Sequence, residues 1–285
     1  MSPLRIEAGC EIASLQRNPA LGALETRMLL MHALGLTRVQ LITQSERRLS
    51  AEEAQRYSAL LQRRVAGEPI AYIVGQREFF GLPFLVTTDV LIPRPETELL
   101  VELALQRAAP GSRVLDLGTG SGAIAIALAH SRVDLQLSAL DVSAAALDVA
   151  RQNAAHNLTH QGSALRLLQS DWYAALQAEQ RFELIVSNPP YIVAGDVHLS
   201  QGDLRFEPIG ALTDHGDGLS ALRTIVAGAA AHLVPGGWLL MEHGYDQAAA
   251  VRALLLAAGY REVQSWQDLA GIERVSGGMH PAQAG

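Results

Sequence analysis

The sequence is poor in cysteine and in aromatic residues. Cys10 is the only cysteine among 285 residues, and aromatic side chains make up 5% of the chain. A single thiol cannot form a disulfide framework, and it is typical of a protein in a reducing compartment. The amino terminus has no apolar segment like that of a signal peptide, so the sequence predicts a cytoplasmic protein.

Long apolar runs and an excess of basic residues are absent too. No apolar run approaches the roughly 20 residues that a membrane-spanning helix needs. Lys and Arg number 22 against 29 Asp and Glu, which gives a net charge of −7. Proteins that bind a long nucleic-acid backbone usually carry a basic stripe. We therefore expect neither membrane insertion nor stable binding to nucleic acid.

Several catalytic motifs are missing as well. The chain has no G-x-S-x-G nucleophile turn and no G-x-x-x-x-G-K-[ST] phosphate loop, which argues against a hydrolase and against a kinase or ATPase. One cysteine cannot build a thiolate site, and we expect no metal. Apolar side chains, in contrast, make up 49% of the residues, enough for a packed core.

The first 74 residues predict a small helical domain. Asn18 and Pro19 predict the start of a helix, and the helical pattern of apolar residues that follows them stops at Gly35. Ser50 and Glu53 form a capping box ahead of another helix, in which apolar residues recur at steps of three and four. Because the segment contains no catalytic pattern, we favour binding of a partner protein over a purely structural cap.

Residues 75–98 predict a β-hairpin or an extended linker. Aromatic residues lie around Gly81, and a short apolar run follows them. The end of the segment, I-P-R-P-E-T-E at residues 92–98, leads into a helix. Arg94 and Glu96 are open to two interpretations, as charges at a helix start or as part of a lid over a ligand site.

Residues 99–285 alternate between predicted strands and helices. The predicted strands are residues 113–117, 135–140, 164–168, 182–186 and 238–242, followed by 261–266 and 273–276. Residues 193–218 predict a long loop, and residues 235–237 predict a turn before the fifth strand. This alternation predicts an α/β fold with a doubly wound, mostly parallel sheet, which binds ligands at the carboxyl ends of its strands.

A glycine-rich turn follows the first of these strands and precedes a helix. Its glycines let the backbone turn tightly and approach a ligand closely. Gly118, Gly120 and Ala123 satisfy the relaxed dinucleotide pattern, whereas D-x-G-x-G-x-G from Asp116 is the pattern of an S-adenosylmethionine loop. The strict alternation of glycines favours the second interpretation. The predicted cofactor-binding residues of this turn are Gly118, Thr119, Gly120, Ser121 and Gly122.

Three further side chains at strand ends are predicted to bind the cofactor. Asp141 ends the second strand, where a carboxylate can accept hydrogen bonds from both hydroxyls of a ribose. Asp171 and Trp172 end the third strand, where a carboxylate or backbone group could bind an adenine amino group while the indole stacks beside the ring. The alternatives are that Asp141 caps the following helix, and that Trp172 packs in the core while Asp171 acts as a cap.

The fourth strand runs directly into Asn188, Pro189, Pro190 and Tyr191. Two prolines cannot continue a central strand, so the chain leaves the sheet in a stiff, extended form. A planar –NH2 group offers two donors, and Asn188 Oδ1 and the Pro189 carbonyl are two acceptors that could orient it. We predict Asn188, Pro189 and Tyr191 as catalytic, with Tyr191 stacking on the planar group. We expect all four residues to bind substrate and Asn188 also to border the cofactor.

Taken together, these motifs resemble those of class I S-adenosylmethionine-dependent methyltransferases that methylate amino groups. The blocks at residues 75–80, 92–98, 205–208 and 268–278 resemble the peptide chain release factor glutamine methyltransferase family, and the resemblance covers nearly the whole chain. It implies a Rossmann-like seven-stranded sheet, S-adenosylmethionine as cofactor and a role in translation termination. The implied substrate is the glutamine of the Gly-Gly-Gln loop in bacterial class 1 release factors, which the helical domain would contact.

Two other classes are open on the sequence alone. DNA adenine and RNA amino-methyltransferases share the Asn-Pro-Pro-Tyr motif, and strong salt-dependent binding to nucleic acid would identify them. A nicotinamide oxidoreductase or a non-catalytic nucleotide-binding module would share the glycine-rich turn, and it would bind NAD in preference to S-adenosylmethionine.

Overall fold

The computed structural model describes residues 5–17, 21–158 and 164–281. The chain divides into two compact units, Met1–Gln76 and Arg77–Gly285. The helix start predicted at Asn18 and Pro19 lies outside the described residues. Within the described ranges, every helix is too short or too polar to span a bilayer.

The first unit is helical, as predicted. Its described helices are α1 Ile12–Leu15, α2 Ala23–Leu34, α3 Arg38–Thr43, α4 Ala51–Val65 and α5 Ile70–Val74. The predicted stop at Gly35 and the capping box of Ser50 and Glu53 are both present. Helices α3 and α5 were not predicted from the sequence, because six and five residues are too few to show a helical period. Apolar side chains of α2 and α4 form the core of this unit.

The predicted hairpin is present as β1 Gln76–Phe79 and β2 Leu82–Leu85, which form a two-stranded sheet. Phe80 and Gly81 make the turn between them with φ angles of +52° and +75°. A single 3-10 turn, Pro95–Thr97, then leads into helix α6 Glu98–Arg107.

The second unit contains the predicted mostly parallel sheet. Its seven strands are β3 Arg113–Leu117, β4 Gln136–Asp141, β5 Ala164–Gln169, β6 Phe182–Ser187, β7 Leu233–Glu242, β8 Arg261–Gln267 and β9 Glu273–Met279. They lie in the order β5-β4-β3-β6-β7-β9-β8, and β9 runs in the direction opposite to the other six. Strand β6 pairs with β3, so the Asn-Pro-Pro-Tyr segment emerges beside the glycine-rich turn.

Helices cover both faces of this sheet. They are α6, α7 Ala123–Ser131, α8 Ala144–Asn157, α10 Ser220–His232 and α11 Ala248–Ala257, while α9 Ile209–Leu212 is a single short turn in the segment after β6. Alternate residues of a strand point to opposite faces, so Val114 packs with α6 and α7 in one apolar cluster, whereas Leu115 packs with α10 and α11 in another. The buried residues of β3 thus anchor the turn that follows them.

Two segments differ from the prediction. Residues 235–237 lie inside β7 instead of before it, in an irregular stretch between the pairs Phe182–Leu233 and Leu184–Trp238 where Gly236 has a φ of +81°. The backbone of Glu183 comes so close to Gly237 that a Cβ there would lie 3.1 Å from its carbonyl oxygen. The predicted long loop at residues 193–218 contains short 3-10 turns and helix α9.

Candidate active site

The glycine-rich turn is built on the end of β3. Gly118, Gly120 and Gly122 have φ angles of +71°, +56° and +82°, a left-handed conformation that favours glycine. The amides of Gly118 and Thr119 both donate to the carbonyl of Leu140 at 2.9 Å, which fixes the turn against β4. A Cβ at Gly122 would lie 2.8 Å from Ile126 Cδ1, so this glycine allows close packing at the start of α7.

Asp141 lies at the carboxyl end of β4, where its carboxylate is held by backbone amides. Its Oδ2 accepts from Gly120 N at 2.8 Å, and its Oδ1 accepts from Ser143 N at 2.9 Å. Ser143, rather than Asp141, accepts from Ala146 N and caps α8. Burial raises the pKa of Asp141, while its backbone hydrogen bonds oppose the rise. Each oxygen keeps a lone pair that could accept from a hydroxyl group.

Asp171 and Trp172 follow β5 at the same edge of the sheet. Trp172 has a φ of +44°, which is uncommon for a residue other than glycine. The Ser170 hydroxyl donates to the Trp172 carbonyl at 2.7 Å and supports this conformation. The indole also packs against the apolar cluster that includes α10 and α11.

The Asn-Pro-Pro-Tyr segment contributes Asn188 and Pro190 to the cavity described below, whereas Pro189 and Tyr191 are not among its lining residues. Asn188 Nδ2 donates to Thr97 Oγ1 at 3.2 Å. The Tyr191 hydroxyl donates to Glu242 Oε1 at 3.2 Å, and burial raises the pKa of Tyr191 well above its usual value. The phenol therefore anchors the segment to β7, and the stacking role of Tyr191 stays a prediction.

One cavity of about 300 Å³ joins these elements. It brings together most of the predicted site residues, namely Gly118, Thr119, Gly120, Ser121, Asp141, Asp171, Trp172, Asn188 and Pro190, but not Gly122. Apolar side chains of Ile124, Leu140 and Val142 form part of its wall. The chain thus places carboxylates, backbone amides, an indole and an amide side chain around one space.

Two further segments line the same cavity, and a buried carboxylate joins them. Glu207 Oε2 accepts from Ile92 N at 3.0 Å, and Glu207 Oε1 pairs with Arg94. Burial raises the pKa of Glu207, and the charge of Arg94 opposes that rise. Since Arg94 and Pro208 both line the cavity, this geometry favours the lid interpretation of Arg94 over a charge at a helix start.

Several polar residues of the site were missed in the sequence. Thr97 and Glu242 are buried beside Asn188, and Glu242 could have been noticed as a lone acid at the end of the apolar run W-L-L-M-E. Asn153 of α8 was missed because its partners, Leu85 and the Ser121 carbonyl, are far away in the sequence.

The residues of the cavity suit S-adenosylmethionine chemically. Asp141 offers acceptors for a ribose diol, and Trp172 with its apolar neighbours offers a surface for an adenine ring. Because glycine has no side chain, the backbone of the glycine-rich turn can come close to the polar amino-acid part of the cofactor. Among the described residues, no three His, Cys, Asp or Glu side chains come together as a possible metal site.

The fold and this cavity define the class of the protein, a class I methyltransferase. A solved methyltransferase from Pyrococcus furiosus has the same fold, with a TM-score of 0.53 and 21% identity, covering 77% of this chain and 96% of that chain. The family model described as methyltransferase small domain matches residues 95–203, and the model described as PrmC N-terminal domain matches residues 14–75.

Named relatives narrow the class to a family. The release factor glutamine methyltransferase of Burkholderia pseudomallei is 60% identical over 275 residues, which are 94% of this chain and 96% of that protein. The protein of the same name from Bordetella pertussis is 54% identical over 271 residues, 94% of this chain and 98% of that protein. The chain belongs to the release factor glutamine methyltransferase family, which disfavours the nicotinamide and nucleic-acid alternatives.

Proposed function

We propose that this protein transfers a methyl group from S-adenosylmethionine to the side-chain amide nitrogen of the glutamine in the Gly-Gly-Gln loop of bacterial class 1 release factors. The observation that carries the proposal is the position of Asn188, which lines the same cavity as the glycine-rich turn and Asp141. The names of the relatives at 60% and 54% identity support the choice of substrate.

The residues that hold the cofactor follow from their chemistry. Asp141, fixed between Gly120 N and Ser143 N, accepts from the ribose hydroxyls. Asp171 and Trp172 would hold the adenine, and the backbone of residues 118–121, which lines the cavity, would border the methionine part. When bound, S-adenosylmethionine supplies a methyl group already activated by a sulfonium.

Asn188 and Pro189 orient the substrate. The Asn188 Nδ2 group is engaged by Thr97, which leaves Oδ1 to accept from the substrate –NH2 group. We assign the second N–H to the carbonyl of Pro189, which lies between the cavity-lining residues Asn188 and Pro190 without itself lining the cavity. An amide nitrogen is a poor nucleophile because its lone pair is delocalised. Two fixed acceptors aim that lone pair and stabilise the positive charge that grows on the nitrogen in the transition state.

The helical unit, Met1–Gln76, is the part that we assign to release factor binding. Its residues 14–75 match the PrmC N-terminal domain model, and it presents exposed apolar side chains such as Leu24 and Val39. We also propose that the protein acts in the cytoplasm.

The test measures transfer of a tritiated methyl group into purified release factor. We expect incorporation into the wild-type factor and none into a factor whose Gly-Gly-Gln glutamine is replaced. Asn188→Ala should lower the rate by roughly a hundredfold, the scale of losing one preorganised polar group. Methylation of the altered factor, or label transferred to DNA or RNA instead, would refute the proposed substrate.

A further inference from the structure

The Asn-Pro-Pro-Tyr segment is held at its downstream end by a buried side chain from another part of the chain. Gln247 directly precedes α11, is 9% exposed and is not among the residues that line the cavity. Its Nε2 donates to the carbonyl of Tyr191 at 3.0 Å and to the carbonyl of Gly218 at 3.1 Å. Its Oε1 accepts from Gly244 N at 2.8 Å. One amide therefore joins the segment after β6, the residues before α10 and the turn after β7.

These three partners require an amide side chain and fix its direction. A carbonyl oxygen can only accept a hydrogen bond, and a backbone N–H can only donate one. The amide of Gln247 satisfies all three partners with its two N–H groups and its oxygen, whereas the reversed amide would place its oxygen against two carbonyls. A leucine at this position would leave the three backbone groups without this partner.

Gly218 allows this amide to come close to the segment. It has a φ of +78°, and a Cβ on it would lie 2.5 Å from the carbonyl oxygen of Tyr191 and 2.8 Å from Gln247 Nε2. Both distances are too short for a carbon atom, so a side chain at position 218 would have to displace Tyr191 or Gln247. Gly218 does not line the cavity either, so such a change would act on this contact and not on the cofactor.

The position of Tyr191 determines where the Pro189 carbonyl lies. Upstream, the segment is fixed to the sheet by Ser187, the last residue of β6. Pro189 and Pro190 have no N–H group to anchor them, and their rings restrict φ, so they connect the two ends of the segment stiffly. A shift of the Tyr191 carbonyl, which Gln247 holds, would therefore shift the Pro189 carbonyl as well.

We propose that Gln247 is a positioning residue for methyl transfer, which holds the Tyr191 carbonyl and thereby fixes the acceptors that the segment offers to the substrate –NH2 group. The inference rests on the proposed function, in which Asn188 and Pro189 orient that group. A misplacement of about 1 Å can lower a rate about a hundredfold. Loss of Gln247 should therefore slow the transfer itself, while S-adenosylmethionine still binds.

The first experiment replaces Gln247 by leucine, which removes the hydrogen bonds and adds no charge. Calorimetry with S-adenosylmethionine counts the folded sites and gives their Kd, and the single-turnover methylation rate is then expressed per site. At saturating release factor we expect this rate to fall by about 10- to 100-fold, with the Kd and the half-saturating release factor concentration close to those of the wild type. Gln152→Leu, at an exposed glutamine of α8, is the matched control and should react like the wild type.

The second experiment tests the same contact from the opposite side. Gly218→Ala places a Cβ against the Tyr191 carbonyl and should lower the rate per site in the same way. Gly259→Ala is its matched control, because Gly259 has a φ of +85° and a Cβ there would meet nothing within 4 Å. Both variants carry the strain of a side chain at positive φ, so the contact with Tyr191 distinguishes them. If Gln247→Leu alone lacks cofactor-binding sites, this pair decides.

Asn188→Ala separates the two possible failures. Full activity of Asn188→Ala would refute the proposed function of the site. An impaired Asn188→Ala beside wild-type rates per site in Gln247→Leu and Gly218→Ala would refute the positioning role alone. Loss of the cofactor-binding sites in both Gln247→Leu and Gly218→Ala would also refute it, because Gln247 would then act through the stability of the fold.

Discussion

At the scale of single residues, the predicted chemistry depends on side chains that the backbone holds in place. Asp141 is the clearest case, because the amides of Gly120 and Ser143 fix both of its oxygens. The sequence predicted this carboxylate from its position at a strand end. It could not predict Thr97 or Glu242, because the hydrogen bond between Asn188 and Thr97 depends on where α6 begins, and that between Tyr191 and Glu242 depends on how β6 pairs with β7.

Replacing Asp141 tests the cofactor site directly. Asp141→Ala removes the acceptors for the ribose hydroxyls and frees two backbone amides of the loop. Hydrogen bonds to charged groups contribute about 1.5–3 kcal/mol each, so we expect the Kd for S-adenosylmethionine to rise by roughly 10- to 100-fold in calorimetry. Asp148→Ala, at an exposed carboxylate of α8, is the matched control and should bind normally. Unchanged affinity in Asp141→Ala would contradict the assignment.

At the scale of elements, strong local signals were predicted well and weak ones were not. Strand β3, the glycine-rich turn and the capped helix α8 carry long apolar runs or caps, and the structure confirms them. Residues 235–237 were predicted as a turn before the fifth strand because Pro-Gly-Gly is a typical turn sequence, whereas strand β7 already begins at Leu233. Only the neighbouring strand, at Glu183, shows that the chain continues in the sheet.

The hairpin, α8 and the glycine-rich turn are connected by one buried amide. Asn153 Oδ1 accepts from Leu85 N at 2.7 Å, and its Nδ2 donates to Leu85 O at 3.0 Å and to Ser121 O at 2.9 Å. Asn153→Ala leaves these backbone groups unpaired, which should cost about 2–4 kcal/mol of unfolding free energy. Because Ser121 belongs to the cofactor turn, the affinity for S-adenosylmethionine should also fall.

Asn157 offers a comparison for that prediction. Its Nδ2 donates to Pro83 O at 2.9 Å in the same hairpin and to the backbone carbonyl of Asn153 at 3.1 Å, and in the described part of the chain none of its hydrogen bonds reaches the glycine-rich turn. Asn157→Ala should therefore lower the midpoint of urea unfolding while leaving the Kd for S-adenosylmethionine close to that of the wild type. Equal losses of affinity in both variants would show that Asn153 acts only through stability.

At the scale of the whole molecule, the second unit carries buried acids in the sheet that forms its core. Asp116 of β3 is fully buried, and its Oδ2 accepts from Thr119 Oγ1 at 2.6 Å. Burial raises its pKa from an ordinary 3.8 to about 7, the hydrogen bond from Thr119 opposes the rise only partly, and the charge of Asp141 adds to it. Such a carboxyl makes the stability of the folded chain depend on pH.

The direction of that dependence follows from which state releases its proton first. Above pH 3.8 the unfolded chain loses the Asp116 proton, while the folded chain keeps it until pH reaches about 7. The contribution of Asp116 to stability is therefore fully present below 3.8 and declines as pH rises to about 7. Over the range from about pH 5 to pH 8 the decline amounts to about 3 kcal/mol.

Asp116→Asn removes this titration and keeps an acceptor for the Thr119 hydroxyl. In urea unfolding without cofactor, the free energy of unfolding of the wild type should fall relative to that of Asp116→Asn by about 3 kcal/mol between about pH 5 and pH 8. Groups that titrate far from this site cancel in the difference between the two proteins. A difference that stays constant over this range, or that grows in favour of the wild type, would mean that Asp116 is ionised in the folded protein near pH 5. The polar turn after β3 would then have to stabilise a buried negative charge.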